Sequence, residues 1–350
     1  MKSYQLVEAG KPLVLREAPN PVPKGAEALL RITAAGVCHS DLHIADGFYE
    51  IGGGKRLNLL DRGIKLPLTM GHEVLGEVVA LGPEAKGVKL GDRRLVYSWM
   101  GCGQCEVCRA GDEHLCVKPR TLGVYRDGGY ADHVLVPEAR YLIDVGGIPD
   151  AFAAVCACAG VTAYGAIRRA GPLKRGEWLA IIGTGGVGQM GVALARATLE
   201  CQLVVLDVDD AKLEALEASG VRHALNPRDE RTRAHLRELT GGGPMAAIDF
   251  VGSTETARLA VDSVRKGGRV VLIGLFGGEF TMPTPFFPLR HLAVMGSYTG
   301  NQKMTEEVIA LARAGKLVPL PIETRPLARV NESLADLRAG RVKGRIVLTS

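Results

Sequence analysis

Six of the eight cysteines in this 350-residue chain fall into two groups whose spacing suits metal ions, and nothing else in the sequence constrains the fold as much. Cys102, Cys105, Cys108 and Cys116 crowd into one short segment as C-x2-C-x2-C-x7-C. Four thiolates close a tetrahedral Zn2+ shell without water, so this group predicts a structural site. Gly101, Gly103 and Gly111 supply the backbone freedom that a loop wrapped round an ion needs. The second group is dispersed: Cys38 within Cys38-His39-Ser40-Asp41, then Gly71-His72-Glu73, then Cys158. Cys, His and Cys leave a fourth position for water or substrate, which is the pattern of a catalytic ion.

The remaining composition excludes several classes. Hydrophobic residues at 47% and charged residues at 23% describe an ordinary globular chain long enough for two cores. A formal charge of +5, with Lys and Arg scattered among Asp and Glu, forms no basic stripe, so no nucleic-acid partner is expected. The start Met1-Lys2-Ser3-Tyr4 carries no apolar leader, and no uninterrupted run of membrane-spanning length is read. Metal-spaced cysteines without a secretion signal predict reduced thiols and a cytosolic location; a disulfide cluster or a redox C-x-x-C fits them less well.

Up to about residue 150 the chain is rich in Gly, Pro and short alternating runs such as 28–32, 77–81 and 132–136, which read as strands joined by turns. Beyond that point helical patterns alternate with almost wholly apolar strand candidates at 179–182, 203–206, 247–251 and 270–273. Apolar strands separated by helices predict a parallel sheet covered on both faces. A helix at 305–314 and a strand at 345–348 form a tail too short for a third domain, expected to rejoin the first. The expected domains are 1–153 with 305–350, carrying a metal lobe at 98–117, and 154–304.

Within the second domain, Gly183-Thr184-Gly185-Gly186-Val187-Gly188 follows a strand and opens a helix, and Asp207 ends the next strand 19 residues after Gly188. In that context the glycines predict a dinucleotide site: Gly183 for the turn, Gly185 for approach of the pyrophosphate, Gly188 for close packing, and Asp207 for the ribose hydroxyls. The plainer reading of Asp207 is a helix N-cap, a role that Asp209 suits better. Around the dispersed site, Ser40 is placed to pass a proton outward and His43 to deliver it to water, with Asp41 orienting an imidazole. Capping of a helix is the alternative for Ser40 and Asp41. Between Cys156 and Cys158, the glycine in Cys158-Ala159-Gly160 favours Cys158, and Cys156 and Cys201 read as core residues. Phe48 and Trp99 read either as pocket lining or as ordinary packing.

These motifs together resemble the zinc-containing medium-chain alcohol dehydrogenases, most closely the tetrameric bacterial and archaeal branch. The match runs from Gly36-Val37-Cys38 through the four-Cys lobe and the glycine loop to Gly296-Ser297-Tyr298-Thr299-Gly300-Asn301 and Gly344-Arg345. It implies an α/β chain with a GroES-like, mainly β catalytic domain and a Rossmann doubly wound sheet. Two Zn2+ ions, NAD, a small alcohol, aldehyde or ketone as substrate, and a homotetramer are implied with it. It further implies Cys38, His72 and Cys158 on catalytic zinc, Glu73 as an exchange ligand, Ser40 and His43 in proton relay, His39 and Arg345 on the pyrophosphate, Thr162 near nicotinamide and Lys212 near the ribose. The segment from Asp46 to Thr69 is longer than in yeast-type enzymes and carries Gly52-Gly53-Gly54; it resembles an archaeal insertion near the cleft entrance. A polyol or amino-alcohol dehydrogenase is the neighbouring alternative, although Cys158 stands where the polyol branch usually has an acidic ligand. A zinc-stabilised regulatory protein is the alternative from another class.

Overall fold

The structure is a computed structural model that describes Met1–Thr349. Contacts divide it into two compact units, one of Met1–Phe48, Asn58–Val161 and Thr299–Ser350, the other of Tyr49–Leu57 and Thr162–Tyr298.

In the first unit, strands Leu142–Asp144, Arg93–Val96, Glu73–Leu81, Ala28–Val37, Arg345–Thr349 and Ile322–Pro326 lie side by side in that order. His133–Val136 also pairs with the long strand Ala28–Val37. Most pairings are antiparallel, and Ala28–Val37 buries nearly every residue because it is central. The last strand comes from the C-terminal tail, with Ile346 opposite Val37. This places Gly344-Arg345 beside the turn that leads into Cys38.

The second unit is a six-stranded parallel sheet in the order Ala224–Leu225, Gln202–Leu206, Trp178–Ile182, Ala246–Asp249, Arg269–Leu272 and Ala293–Gly296. The order reverses beside Trp178–Ile182, the strand that feeds the glycine loop, as in doubly wound dinucleotide-binding sheets. Its apolar strand residues are buried: Ala180, Ile182, Val204, Leu206, Ala247 and Val270 share one core cluster with Leu259, Ala260 and Val261 from helix Thr254–Ser263.

Two findings depart from the sequence reading. Asp150–Ala170 is long and apolar enough to cross a membrane, with a mean hydropathy of 1.5, where the sequence reading expects no such run; 89% of that window is buried inside the protein. The expected boundaries also shift, because Tyr49–Leu57 sits with the second unit. Strands Phe48–Glu50 and Arg56–Asn58 form a hairpin whose tip, Gly52-Gly53-Gly54, is left-handed throughout. A side chain on Gly52 would lie 2.7 Å from the Glu279 side chain, so only a bare backbone can seat there.

Candidate active site and metal centres

Cys38 directly follows the long central strand and is the N-cap of helix His39–Asp46. Asp41, three residues on, reaches back so that its Oδ2 accepts from the Cys38 N–H at 2.9 Å. The same Oδ2 accepts from the Tyr130 hydroxyl at 2.6 Å, while Asp41 Oδ1 faces His72 Nδ1 at 3.3 Å. Capping and orienting are therefore one arrangement, since the carboxylate that starts the helix also turns the His72 ring. With Nδ1 facing Asp41, Nε2 points elsewhere, buried and with no protein partner. Gly71 precedes His72 with φ +93°, and a Cβ there would strike Tyr130 at 2.7 Å, which explains why glycine stands at that point.

Cys158 arrives by a route that the sequence pattern does not show. Helix Asp150–Val155 widens into a π-helical turn, Cys156–Gly160, before α-helix resumes at Val161–Ala170. The extra residue per turn changes which side chains face inward, a device often found at functional sites. Cys158 Sγ lies 3.8 Å from Cys38 Sγ. Cys156 stays in the core, its thiol pushed up to about 12 by burial.

Cys38, His72, Glu73 and Cys158 present four donor atoms within 4.8 Å of one another, all buried. Two sulfurs bound tetrahedrally at about 2.3 Å would stand roughly 3.8 Å apart, so the Cys38–Cys158 separation suits zinc and is far too long for a disulfide. The Cys158 contact, with His72 and Arg345 nearby, holds the Cys38 thiol well below the ordinary range against the effect of burial. The contact with Cys38 raises Cys158 correspondingly. Burial opposes charge on His72, but Asp41 and Cys38 outweigh it and hold the imidazole high. Burial pushes the Glu73 carboxyl up to about 7, against the pull of Arg345. A cation entering this cluster takes the place of such protons, which is how ligand sets of this kind charge.

Glu73 has room because Gly36 has no side chain; a Cβ at Gly36 would lie 1.9 Å from Glu73 Oε2. Its Oε1 accepts from Arg345 Nη2, and its Oε2 is buried without a protein partner. Arg345 is itself buried and ion-paired to Glu73, with Nε making no hydrogen bond to the protein. Ser40 and His43 lie three residues apart on helix His39–Asp46, a spacing that puts them on one face. Burial and His39 lower the His43 imidazole, whose ring meets that of His39 at 5.5 Å. Trp99 is buried, donates from Nε1 to the Ala157 carbonyl at 3.0 Å and sets its ring 5.3 Å from that of His72.

The four-Cys lobe brings its sulfurs together without help from distant residues. Sγ separations are 3.3 Å for Cys105–Cys108, 3.7 Å for Cys105–Cys116 and 3.9 Å for Cys102–Cys108. Backbone N–H groups of Cys102 and Lys118 point at Cys116 Sγ at 3.3 Å, and that of Gln104 at Cys102 Sγ at 3.5 Å. The Gln104 and Cys105 amides lower the Cys102 thiol to about 6, while burial raises Cys108 to about 12. Four sulfurs at these distances fit a closed tetrahedral ion.

In the second unit each glycine of the loop has its own reason. Gly183 is left-handed at φ +85°, a Cβ on Gly185 would meet nothing within 4 Å, and a Cβ on Gly188 would strike the Gly183 carbonyl at 1.9 Å. Helix Gly186–Thr198 starts directly after Gly185, so its first N–H groups, including those of Gly186 and Val187, border that open space. Asp207 Oδ2 accepts from Thr184 N at 2.7 Å and Thr184 Oγ1 at 2.6 Å, and its Oδ1 accepts from Asp209 N at 3.0 Å. Asp209 is the N-cap of the following helix. Lys212 Nζ stands 3.5 Å from Asp209 Oδ2, and Thr162 lies in the first turn of Val161–Ala170. Tyr130 escapes the sequence reading because an isolated Tyr carries no motif, and the Thr184 contact to Asp207 escapes it because Thr184 is a variable position of the glycine loop.

Residues 24–149 match the alcohol dehydrogenase GroES-like domain, and residues 186–314 match the zinc-binding dehydrogenase domain. The chain is 38% identical over 350 residues to an NAD-dependent alcohol dehydrogenase of Sulfurisphaera tokodaii, covering 99% of each. The chain belongs to the zinc-binding dehydrogenases. A second member, an NAD-dependent alcohol dehydrogenase of Saccharolobus solfataricus, is 37% identical, again over 99% of each chain. The crystal structure of an alcohol dehydrogenase from Aeropyrum pernix superposes with a TM-score of 0.89 at 31% identity, covering all of both chains. The GroES-like and Rossmann-like parts expected of a zinc-binding dehydrogenase are thus both present, each with its own donor cluster or glycine loop.

Proposed function

We propose that this chain oxidises primary or secondary alcohols to aldehydes or ketones, and catalyses the reverse, with NAD as cofactor and one zinc ion in each cysteine cluster. The observation that carries the reading is the buried convergence of Cys38, His72, Glu73 and Cys158 within 4.8 Å. When bound, Zn2+ acidifies an alcohol hydroxyl as a Lewis acid, and NAD accepts the hydride. Cys38 and Cys158 provide two anionic sulfurs and His72 provides Nε2, held in orientation by Asp41. Arg345 restrains Glu73 at Oε1, so that Oε2 is available as an exchanging donor. Ser40 takes the alcohol proton and His43, on the same helix face, carries it onward. The lowered His43 imidazole is neutral at neutral pH and therefore able to accept it. In the second unit, the Gly185, Gly186 and Val187 backbone receives pyrophosphate, Asp207 and Lys212 face the adenosine ribose, and Thr162 lies towards nicotinamide. Cysteines gathered into two metal-type clusters suit a reducing compartment, which supports a cytosolic location.

The direct test adds NAD and a panel of primary, secondary and aromatic alcohols at alkaline pH and follows NADH absorbance, alongside metal analysis. Two zinc ions per chain and NADH formation are expected; protein with two ions that oxidises no alcohol would overturn the assignment. For the relay, His43→Gln should slow alcohol oxidation most near neutral pH and progressively less at alkaline pH, where hydroxide takes the proton instead. A uniform slowing across the pH profile would assign His43 a structural role.

A homo-oligomer, a tetramer, is also proposed. Strand Ala293–Gly296 is one edge of the parallel sheet and overlaps the apolar segment Leu292-Ala293-Val294-Met295. In the same unit Phe276 is 62% and Leu289 67% exposed. An unpaired apolar edge is the kind of surface that two copies cover by pairing. Light scattering should give a mass well above 37.2 kDa, and a stable monomer at micromolar concentration would rule the assembly out.

A further inference from the structure

We propose that Glu113 is a positioning residue that couples the four-Cys lobe to the Cys38–His72–Cys158 cluster through the strut Tyr97–Gly101; the proposal rests on the assignment of those three residues as metal ligands. Glu113 is a nearly fully buried carboxylate inside the lobe, and no metal role requires it. Its Oε2 accepts from the Gly101 N–H at 2.8 Å and from the Tyr141 hydroxyl at 2.7 Å, while Oε1 accepts from Arg140 Nη1 at 2.7 Å. The other side of Gly101 is also held, since its carbonyl accepts from Arg120 Nε at 2.6 Å. Arg120 and Arg140 are in turn joined through Glu138, at 3.1 and 2.8 Å. Both peptide groups of one glycine are therefore gripped by charged side chains of a single network. Gly101 also lies against the sulfur cage: a Cβ there would come within 2.5 Å of Cys108 Sγ and 2.9 Å of Cys116 Cβ.

Two residues before Gly101 stands Trp99, which meets the other cluster at two points. Its ring lies beside His72, and its indole N–H is bound to the carbonyl of Ala157, the residue before Cys158. The strut between these ends has little freedom, because Met100 O accepts from Arg120 N at 2.8 Å and Ser98 O from Leu122 N at 3.2 Å. Tyr97 N donates to Tyr141 O at 2.8 Å, and Tyr141 is the residue whose hydroxyl Glu113 holds. A shift of the lobe thus moves Gly101, and Gly101 moves the indole that seats His72 and the Cys158 turn. A lobe that only clipped the chain together would not need a buried carboxylate aimed at the strut's last amide.

The test uses protein carrying Co2+ in the open cluster and Zn2+ in the lobe, in a Trp178→Phe background so that Trp99 is the sole tryptophan. Glu113→Ala should shift the visible absorption band of cobalt and the Trp99 emission, although Glu113 touches neither group. Cobalt affinity and kcat should fall by about 10-fold, with KM for the alcohol changed by less than about 2-fold. Glu113→Gln, which keeps an acceptor for the Gly101 N–H, should recover most of the loss. If Glu113→Ala does not fold, Arg120→Met releases the Gly101 carbonyl instead and should produce the same two spectral shifts. Cobalt band and Trp99 emission identical to the parent in every folded variant would overturn the coupling. Parent protein that binds no cobalt outside the lobe would instead remove the ligand assignment, and the coupling with it.

Discussion

Cys158→Ala should abolish alcohol oxidation, lowering kcat/KM by on the order of 10^3-fold or more, and should leave one zinc ion per chain in place of two. The substitution deletes one of only two sulfurs in the open cluster, and the remaining donors Cys38, His72 and Glu73 cannot rebuild the shell from a π-helical turn that now presents a methyl group. Burial at this point is nearly complete, so the fold loses a small side chain and gains a small cavity, a modest cost beside the loss of an ion. Cys105→Ala provides the contrast. It opens the closed sulfur cage, and its first effect should be a lowered Tm, because a structural ion contributes folding free energy directly. Metal analysis and calorimetry on the two variants check both statements. Loss of both ions from Cys158→Ala, or persistence of activity in it, would sink the division into an open and a closed site.

The second large effect concerns the cofactor. NAD should be preferred over NADP by at least ~10-fold in kcat/KM, about 1.4 kcal/mol, because on the proposed reading the Asp207 carboxylate would stand where a 2′-phosphate must lie. Like charges at roughly 4 Å in a partly exposed cleft repel by about 1–4 kcal/mol per pair. The structure sharpens this expectation. Three hydrogen bonds, from Thr184 N, Thr184 Oγ1 and Asp209 N, fix the carboxylate so that it cannot swing away from a phosphate. Of about four lone-pair positions on a carboxylate, roughly one is left for a ribose hydroxyl. Lys212, a candidate to receive a phosphate, already leans on Asp209 at 3.5 Å. Asp207→Asn removes the charge while keeping an oxygen for Thr184, so the preference should collapse with little loss of NAD turnover. Asp207→Ala should erase the preference too, but with both cofactors weakened, since the buried Thr184 N–H then lacks an acceptor. Steady-state kinetics with both cofactors decides the matter; an unchanged ratio in either variant would mean that Asp207 does not read the ribose.

Much of this chain is legible in its residues alone. Wholly apolar runs at 179–182, 203–206 and 270–273 announce buried parallel strands, because a strand covered on both faces has no reason to alternate. The four lobe cysteines can be grouped by spacing alone, as a loop that short cannot hold its sulfurs far apart. The glycine loop is readable for the same reason: its turn, its open approach and its tight packing are backbone requirements expressed within six residues. The hairpin around Gly52-Gly53-Gly54 marks the limit of such reasoning, since its glycines are visible in the sequence but its seat against Glu279 is not.

Chemical type and short-range geometry are thus written in the sequence itself: which donors exist, which loop suits an ion, which turn suits a phosphate. Long-range placement is decided only by tertiary structure. Glu73 and Arg345 pair across 272 residues because the C-terminal strand lies beside Ala28–Val37. Cys158 reaches Cys38 because a π-helical turn reorients a stretch, 151–161, that is apolar all round and so shows no preferred face in the sequence. Tyr130 comes to Asp41 through sheet pairing and packing against Gly71 rather than through any motif. The physical reason is common to all three. Spacing along a chain fixes distance over only a few residues, and beyond that the pairing of strands and the packing of buried side chains choose which groups meet.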